Sequence, residues 1–390
     1  MISVRRFFRP PAGSFFLFGP RGTGKSTWLK QHFPEALRLD LLDRETFRLY
    51  AARPERLRDL VRAQTRPVTI VLDEIQKIPE LLDVVHQQME DLPQHRFILT
   101  GSSARKLKRT GVDLLAGRAV STSMHPFMAA ELKEDFDMET ALTRGLVPVV
   151  HTAPSPAKAL AAYIGLYLEQ EVKAEAMVRD VGSFARFLEA ISFSHGAVVN
   201  ITSVARECQV NRNTVQTYVE VLEDLLLGFR VPVFSRRARR HLISHPKFFF
   251  FDAGVFRSLR PGGPLDSLEE MSGAALEGLV AQHLRAWIAY GDMDRTNLFF
   301  WRTKSGSEVD FVVYGPHTFF ALEVKNSSNV YRKDLKSLLS FRDDYPEAHI
   351  ALLYRGNETL LVDDVLCLPC SMFLQELVPG RAPSWPPLSE

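Results

Sequence analysis

A chain of 390 residues is long for one domain and suits two or three, and its 46% hydrophobic and 24% charged residues are those of a globular protein rather than a disordered or fibrous one. A formal net charge of +2 excludes a polybasic coat protein but leaves room for a local basic face. Three scattered cysteines exclude a disulfide framework, no apolar run is long enough for a membrane span, and "MISVRRFFRPP" lacks the apolar core of a secretory signal, so the chain is expected to be cytoplasmic.

Residues 1 to about 130 alternate short apolar runs with amphipathic stretches. "SFFLFG", "PVTIVLDE" and "HRFILTGSS" read as buried strands ending in polar residues, and "PELLDVVHQQMEDL" reads as a helix between them. That order predicts a parallel α/β sheet. "VVHTAPSPAKA" (149–159), rich in proline and small residues, reads as a boundary. From about 160 to 232 the pattern is helical, through "AAYIGLYLEQEV", "FARFLEAISFSH", "SVARECQV" and "NTVQTYVEVLEDLLL". "RPGGPLDS" (260–267) marks a second break. Beyond it come a helix, "GAALEGLVAQHLRAWIAYG", then strands in "NLFFWRT", "EVDFVVYG" and "TFFALEVKN", a helix in "YRKDLKSLLSFRDDYP" and a strand in "HIALLYRG". The expected domains are 1–150, 151–262 and 263–375, with a tail at 376–390 whose "PGRAPSWPPLSE" has no packing pattern. "CLPC" (367–370) has no second pair or histidine cluster beside it and reads as ordinary buried cysteines.

"GPRGTGKST" (19–27) follows one predicted strand and opens a helix, and Gly19, Gly24, Lys25 and Ser26 fit G-x-x-x-x-G-K-[ST]. The loop of Gly19, Pro20, Arg21, Gly22, Thr23, Gly24, Lys25, Ser26 and Thr27 is expected to wrap its backbone N–H groups around a phosphate chain, helped by the positive end of the helix. Lys25 would reach the terminal phosphates, and the Ser26 hydroxyl and Asp73 would hold Mg²⁺. Glu74, next to Asp73 at the end of "VTIVLDE", is the candidate base for an attacking water. Thr100, Ser102 and Ser103, ending the next strand, offer a hydroxyl to orient that water. Arg118 in "LLAGRAV" is the candidate cation for the γ-phosphate, in its own or a neighbouring subunit, with Arg105 as its rival. No Asn-Lys-x-Asp run for guanine is present, so ATP is the expected nucleotide.

"NITSVARECQVNRNTVQTYVEVLEDLLLGF" has helix-turn-helix spacing. Thr202 is a candidate cap, and Val204, Ala205 and Cys208 are the inward positions of the first helix. The second helix is expected from about Asn213, with Arg212, Asn213, Thr214, Gln216 and Thr217 as candidate nucleic-acid contacts. The basic run that follows, with Arg236, Arg237, Arg239 and Arg240, looks like the wing of a winged helix. A packing or protein-binding unit with a solvated basic face is the alternative.

Toward the C-terminus, Glu323 and Lys325 in "ALEVKN" lie two apart and share a strand face, with Asp310 on another strand and Glu277 on the preceding helix. An acid followed by E-x-K on the next strand is the arrangement of metal-dependent nucleases, with Glu277, Asp310 and Glu323 as candidate ligands and Lys325 as the catalytic lysine. A nuclease-like fold that binds DNA without cutting it is the alternative on the same residues.

Taken in order, "FLFGPRGTGKST", "LDLLDRETFRLYAARPERL", "IVLDEIQKIPELL", "FILTGSSARKL", "LAGRAV", "YLEQEV", "VNRNTVQTYVEVLED", "GAALEGLVAQHL" and "FWRTKSGSEVDFVV…ALEVKN" resemble the landmarks of a bacterial and archaeal family of AAA-type ATPases. Members join a P-loop AAA-type parallel-sheet domain to a helical winged-helix segment and a PD-(D/E)xK, restriction-endonuclease-like α/β domain. The resemblance covers nearly the whole chain. It implies ATP hydrolysis with Mg²⁺, a homo-oligomer with a hexamer among the candidate states, and action on DNA. "RGLVPVV" (144–150) departs from the Gly-Gly-x-Pro-Glu run that relatives tend to carry. The expected function is an ATPase acting on DNA, with branched or broken DNA as candidate substrates. A nucleotide-controlled switch that binds DNA or protein, and an ATP-gated Mg²⁺-dependent nuclease, are the alternatives.

Overall fold

The computed structural model describes residues 4–103, 117–168, 180–235, 245–263, 267–293 and 295–383. The chain divides into two compact units: Phe8–His125 with Glu223–Leu227, and Met1–Phe7, Pro126–Leu222 and Gly228–Glu390 together.

The amino-terminal unit is built on β1 (Phe15–Phe18), α1 (Lys25–His32), β2 (Leu37–Asp40), α2 (Arg44–Ala52), α3 (Arg56–Arg62), β3 (Thr69–Asp73), α4 (Leu81–Asp91), β4 (Arg96–Gly101) and β5 (Val120–Ser123). The strands form one parallel sheet in the order β2-β3-β4-β1-β5. β1, β3 and β4 are the three strands that the apolar runs predict. They lie in the middle of the sheet, where both faces are covered and a continuous apolar run is what burial requires. Alternation puts Phe16, Phe18, Ile70, Leu72, Phe97 and Leu99 on one face, against Leu57 and Val61 of α3 and Leu81, Leu82 and Val85 of α4. The edge strands "LRLD" and "VSTS" are too polar and short to stand out in the sequence, and their burial is correspondingly partial.

The second unit includes Pro126–Leu222, so the boundary expected at 150 and the proline-rich stretch at 149–159 lie inside it. Helices Met138–Arg144, Pro148–His151 and Pro156–Ala162 run through that region, with proline at the first helical turn of the last two, where its missing N–H costs nothing. Buried Asp252 ties this region to later chain, accepting from Leu146 N at 2.7 Å and from Val255 N at 3.1 Å, the second of these capping helix Ala253–Leu259. Helices Val181–Ser192, Ile201–Cys208 and Arg212–Asp224 follow, with a three-stranded antiparallel sheet, β6 (Ala197–Val198), β7 (Gly228–Val231) and β8 (Lys247–Phe250), in the order β6-β8-β7. The cap of the first helix in the predicted pair is Asn200, not Thr202: its short amide reaches Ser203 N at 3.1 Å, and Thr202 lies within the helix. Asn211 likewise accepts from Thr214 N at 2.8 Å, so the second helix begins at Arg212.

The 23-residue helix Leu268–Tyr290, capped by Ser267, precedes a six-stranded mixed sheet of β9 (Asn297–Arg302), β10 (Glu308–Gly315), β11 (Thr318–Lys325), β12 (His349–Tyr354), β13 (Leu360–Val362) and β14 (Val365–Pro369). Its order is β13-β14-β12-β11-β10-β9. β9 to β11 form an antiparallel meander, and β11, β12 and β14 run parallel. Cys367 and Cys370 are buried free thiols, held protonated by burial at about 11 and about 12.

Within this unit the fully buried His283 accepts from Ala129 N at 2.9 Å through Nε2, so Nδ1 carries the proton and donates to the Leu279 carbonyl at 2.7 Å. The imidazole is therefore neutral, and burial holds its pKa down to about 4. A depressed histidine stabilises the fold above the unfolded value near 6.5 and loses that contribution as pH falls toward the folded value. His283 should therefore account for a loss of about 2 kcal/mol between pH 7 and 5. Urea unfolding at the two pH values should show the difference shrinking by about that amount in His283→Gln; an equal pH dependence in both proteins would refute the assignment.

Candidate functional site

The loop between β1 and α1 forms because glycine sits where the backbone needs it. Gly22 and Gly24 adopt φ of 77° and 92°, a region costly for residues with a Cβ. Gly19 has no room for a side chain: a Cβ there would lie 2.5 Å from the Met124 carbonyl oxygen. The turn closes on itself, with Thr23 Oγ1 donating to the Pro20 carbonyl at 2.8 Å. Lys25 is buried, and its ammonium donates to the carbonyls of Gly19 at 2.7 Å and Pro20 at 3.2 Å, so an anion seated in the loop competes with those two oxygens for it. Ser26 and Thr27 occupy the first turn of α1, where backbone N–H groups have no intrahelical partner. Pro20 and Arg21 complete the loop.

The acids at the end of β3 are fixed from β4 and from the turn that follows them. Thr100 is buried; its hydroxyl donates to Asp73 and accepts from Glu74 N at 3.1 Å. Its proton is thus given to a carboxylate, so its observed part is to hold the two acids rather than to meet a water. Glu74 stands in the left-handed region (φ 62°, ψ 48°), unusual for a residue with a side chain. Its carboxylate accepts from Gln76 Nε2 at 2.5 Å and from the Ser102 hydroxyl at 3.1 Å, and the same Gln76 amide donates to Ser102 at 3.0 Å. Gln76 was invisible in the sequence: one glutamine in "DEIQKIP" carries no pattern, and its importance comes from β4 lying beside β3. Serine and aspartate oxygens are the hard donors that Mg²⁺ prefers, so Ser26 and Asp73 fit it.

Arg118 stands just before β5, its guanidinium donating to Glu90 Oε1 and to His86 Nε2, each at 2.6 Å, on α4. Arg105 and the basic run of Arg236, Arg237, Arg239 and Arg240 lie outside the described residues. On helix Arg212–Asp224, Arg212, Asn213, Gln216 and Thr217 are exposed while Val215, Tyr218 and Val219 face inward; Thr214 is half-buried and its hydroxyl donates to Asn211 at 3.0 Å.

Glu277, Asp310, Glu323 and Lys325 do come together in the second unit, but around an unexpected group. Lys247 opens β8, its side chain 3% exposed, and its ammonium lies 2.5 Å from Glu308 Oε1, 3.3 Å from Asp310 Oδ1 and 3.9 Å from Glu277 Oε2. Arg302 flanks the other oxygen of Glu308 at 3.2 Å. Lys325 pairs with Glu323 at 2.6 Å on one strand face, as the spacing predicts. A register shift between β10 and β9 at Val309–Val312 turns Asp310 inward, where its second oxygen accepts from Val324 N at 2.9 Å. Burial opposes charge on Lys247, but Asp310, Glu277 and Glu308 outweigh it and hold the ammonium above the usual lysine range. Burial, reinforced by Asp310, pushes Glu277 and Glu323 upward. No sequence pattern marks Lys247, a single lysine ahead of four phenylalanines, or Glu308, two residues before Asp310. Among the described residues no three His, Cys, Asp or Glu side chains converge so as to hold a metal ion. The expected nuclease metal therefore does not fit: an ammonium stands among its ligands.

Comparison with known proteins agrees with the amino-terminal geometry. Residues 12–133 match the family model of an AAA domain. Residues 135–266 and 272–373 match two domains of unknown function, DUF8612 and DUF4143. Uncharacterized protein Rv2008c of Mycobacterium tuberculosis and Uncharacterized protein Mb2031c of Mycobacterium bovis are each 26% identical over 314 residues, 78% of this chain and 69% of theirs. Among solved structures, protein VC1899 from Vibrio cholerae aligns over 89% of this chain and 90% of its own at 12% identity, with a TM-score of 0.19, too low to indicate a shared fold. No helix among the described residues is long and apolar enough to cross a membrane.

In the AAA domain, Gln76 holds the Glu74 carboxylate, and its loss is expected to appear in turnover rather than in binding. Gln76→Ala should lower kcat for nucleotide hydrolysis by about tenfold or more, with nucleotide Kd changed by less than about threefold. A matching loss in Kd would mean that Gln76 supports the binding loop instead.

Proposed function

We propose that this protein hydrolyses ATP in its AAA domain and uses that cycle to act on DNA through a winged-helix segment and a restriction-endonuclease-like scaffold. The observation that supports hydrolysis is the pairing of a phosphate-binding loop after β1 with Asp73 and Glu74 at the end of β3, two strands away in one parallel sheet. The loop from Gly19 to Thr27 grips the triphosphate, and Lys25 leaves the Gly19 and Pro20 carbonyls for it. Bound Mg²⁺, held by Ser26 and Asp73, would offset negative charge on the phosphates. Glu74 accepts the proton of the attacking water, while Gln76 and Ser102 fix where its carboxylate points.

Arg118 supplies the transition-state cation to a neighbouring copy in a homo-oligomer. Its bond to Glu90 is a half-exposed ion pair, a class worth at most about 1 kcal/mol, so exchanging it for a phosphate is inexpensive. The DNA reading rests on the helix Arg212–Asp224, whose exposed Arg212, Asn213 and Gln216 present donors at its first turns.

ATP turnover measured without DNA and with duplex, single-stranded or branched DNA is the direct test. Stimulation of severalfold by at least one form is expected, together with loss of turnover in Lys25→Ala and loss of the stimulation alone in Arg212→Ala. Turnover that no DNA changes, with no DNA bound, would refute the DNA reading and leave a nucleotide switch for another partner.

A further inference from the structure

We infer that the Lys247 ammonium is the built-in cation of the C-terminal carboxyl cluster, standing where a divalent metal would stand, so that this domain holds no divalent ion and cuts no nucleic acid. The ammonium is within 4 Å of oxygens from three carboxyl groups on two elements: Glu277 on the helix Leu268–Tyr290, and Glu308 and Asp310 on β10. A divalent ion needs carboxylate oxygens at about 2.0–2.6 Å, which the same oxygens cannot supply while they surround an ammonium. Lys247 has nowhere else to go. Its backbone is paired to Val198 on one side and Val231 on the other, its side chain is almost wholly buried, and its ammonium lies 5.4 Å from the face of the Phe300 ring. The remaining charges are matched in the same way: Arg302 meets Glu308, and Lys325 meets Glu323. Three cations therefore sit among the four acids Glu277, Glu308, Asp310 and Glu323. The neutralisation that a metal nuclease takes from solution is here supplied by the chain itself. Glu323 Oε2 is buried without a hydrogen-bond partner among the described residues.

The test is Mn²⁺ binding to the full-length protein without nucleotide, followed by electron paramagnetic resonance; omitting nucleotide keeps the result independent of the ATPase reading. The wild type should take up no Mn²⁺ that depends on Asp310. Lys247→Ala and the shape-conserving Lys247→Met should each gain one Mn²⁺ per chain, lost again when Asp310→Asn is added. One equivalent bound to the wild type and lost in Asp310→Asn would overturn the inference, whether or not the Lys247 variants fold. So would two folded Lys247 variants, verified by circular dichroism, that bind none.

Discussion

The Thr100 hydroxyl, sitting between two acids, is the constraint on which the nucleotide site depends. It gives its proton to Asp73 and accepts the Glu74 N–H, fixing the end of β3 to β4 at the point where the strand must turn. Glu74 then leaves the strand in a left-handed conformation that costs roughly 1–3 kcal/mol. Such strain persists only where surrounding bonds over-determine it. Here Gln76 and Ser102 do so, and they grip the carboxylate in the same act. Backbone strain, carboxylate orientation and the junction of two strands are one piece of structure.

The two units treat buried acids in opposite ways. In the AAA domain, Asp73 and Glu74 are met by neutral donors: a threonine hydroxyl, a glutamine amide and a serine hydroxyl. Neutral donors orient a carboxylate without cancelling its charge, which leaves that charge for a metal ion or a proton. In the C-terminal cluster the acids are met by Lys247, Lys325 and Arg302, which cancel the charge in place. Both clusters look alike in the sequence, as acids at strand ends with polar neighbours. The charge of the compensating group separates a site poised for a cation from one that already contains it.

The sequence made the central strands legible because burial on both faces forces unbroken apolar runs, and it made the phosphate loop legible because glycine spacing is dictated by backbone geometry. The edge strands β2 and β5 were lost for the converse reason: they are half-solvated and follow no period. Thr202 and Asn200 are both good cap residues, and only the structure shows that it is Asn200 whose side chain reaches a free N–H. The carboxyl cluster was read from spacing within β10 and β11, which is local. Lys247 comes from a different sheet, 63 residues before Asp310 in the chain, and nothing in sequence distance could place it there. Pro148 and Pro156 read as breaks in the sequence, whereas each stands at the first turn of a helix in the structure.

Glu74 as proposed is a base that acts on an already bound nucleotide. Glu74→Gln keeps the side chain's size and removes its ability to take a proton. ATP binding measured at equilibrium and ATP hydrolysis measured in a single turnover on that variant test this most directly. Affinity within about threefold of wild type and hydrolysis slowed by at least about a hundredfold are predicted. Hydrolysis at the wild-type rate would contradict the account.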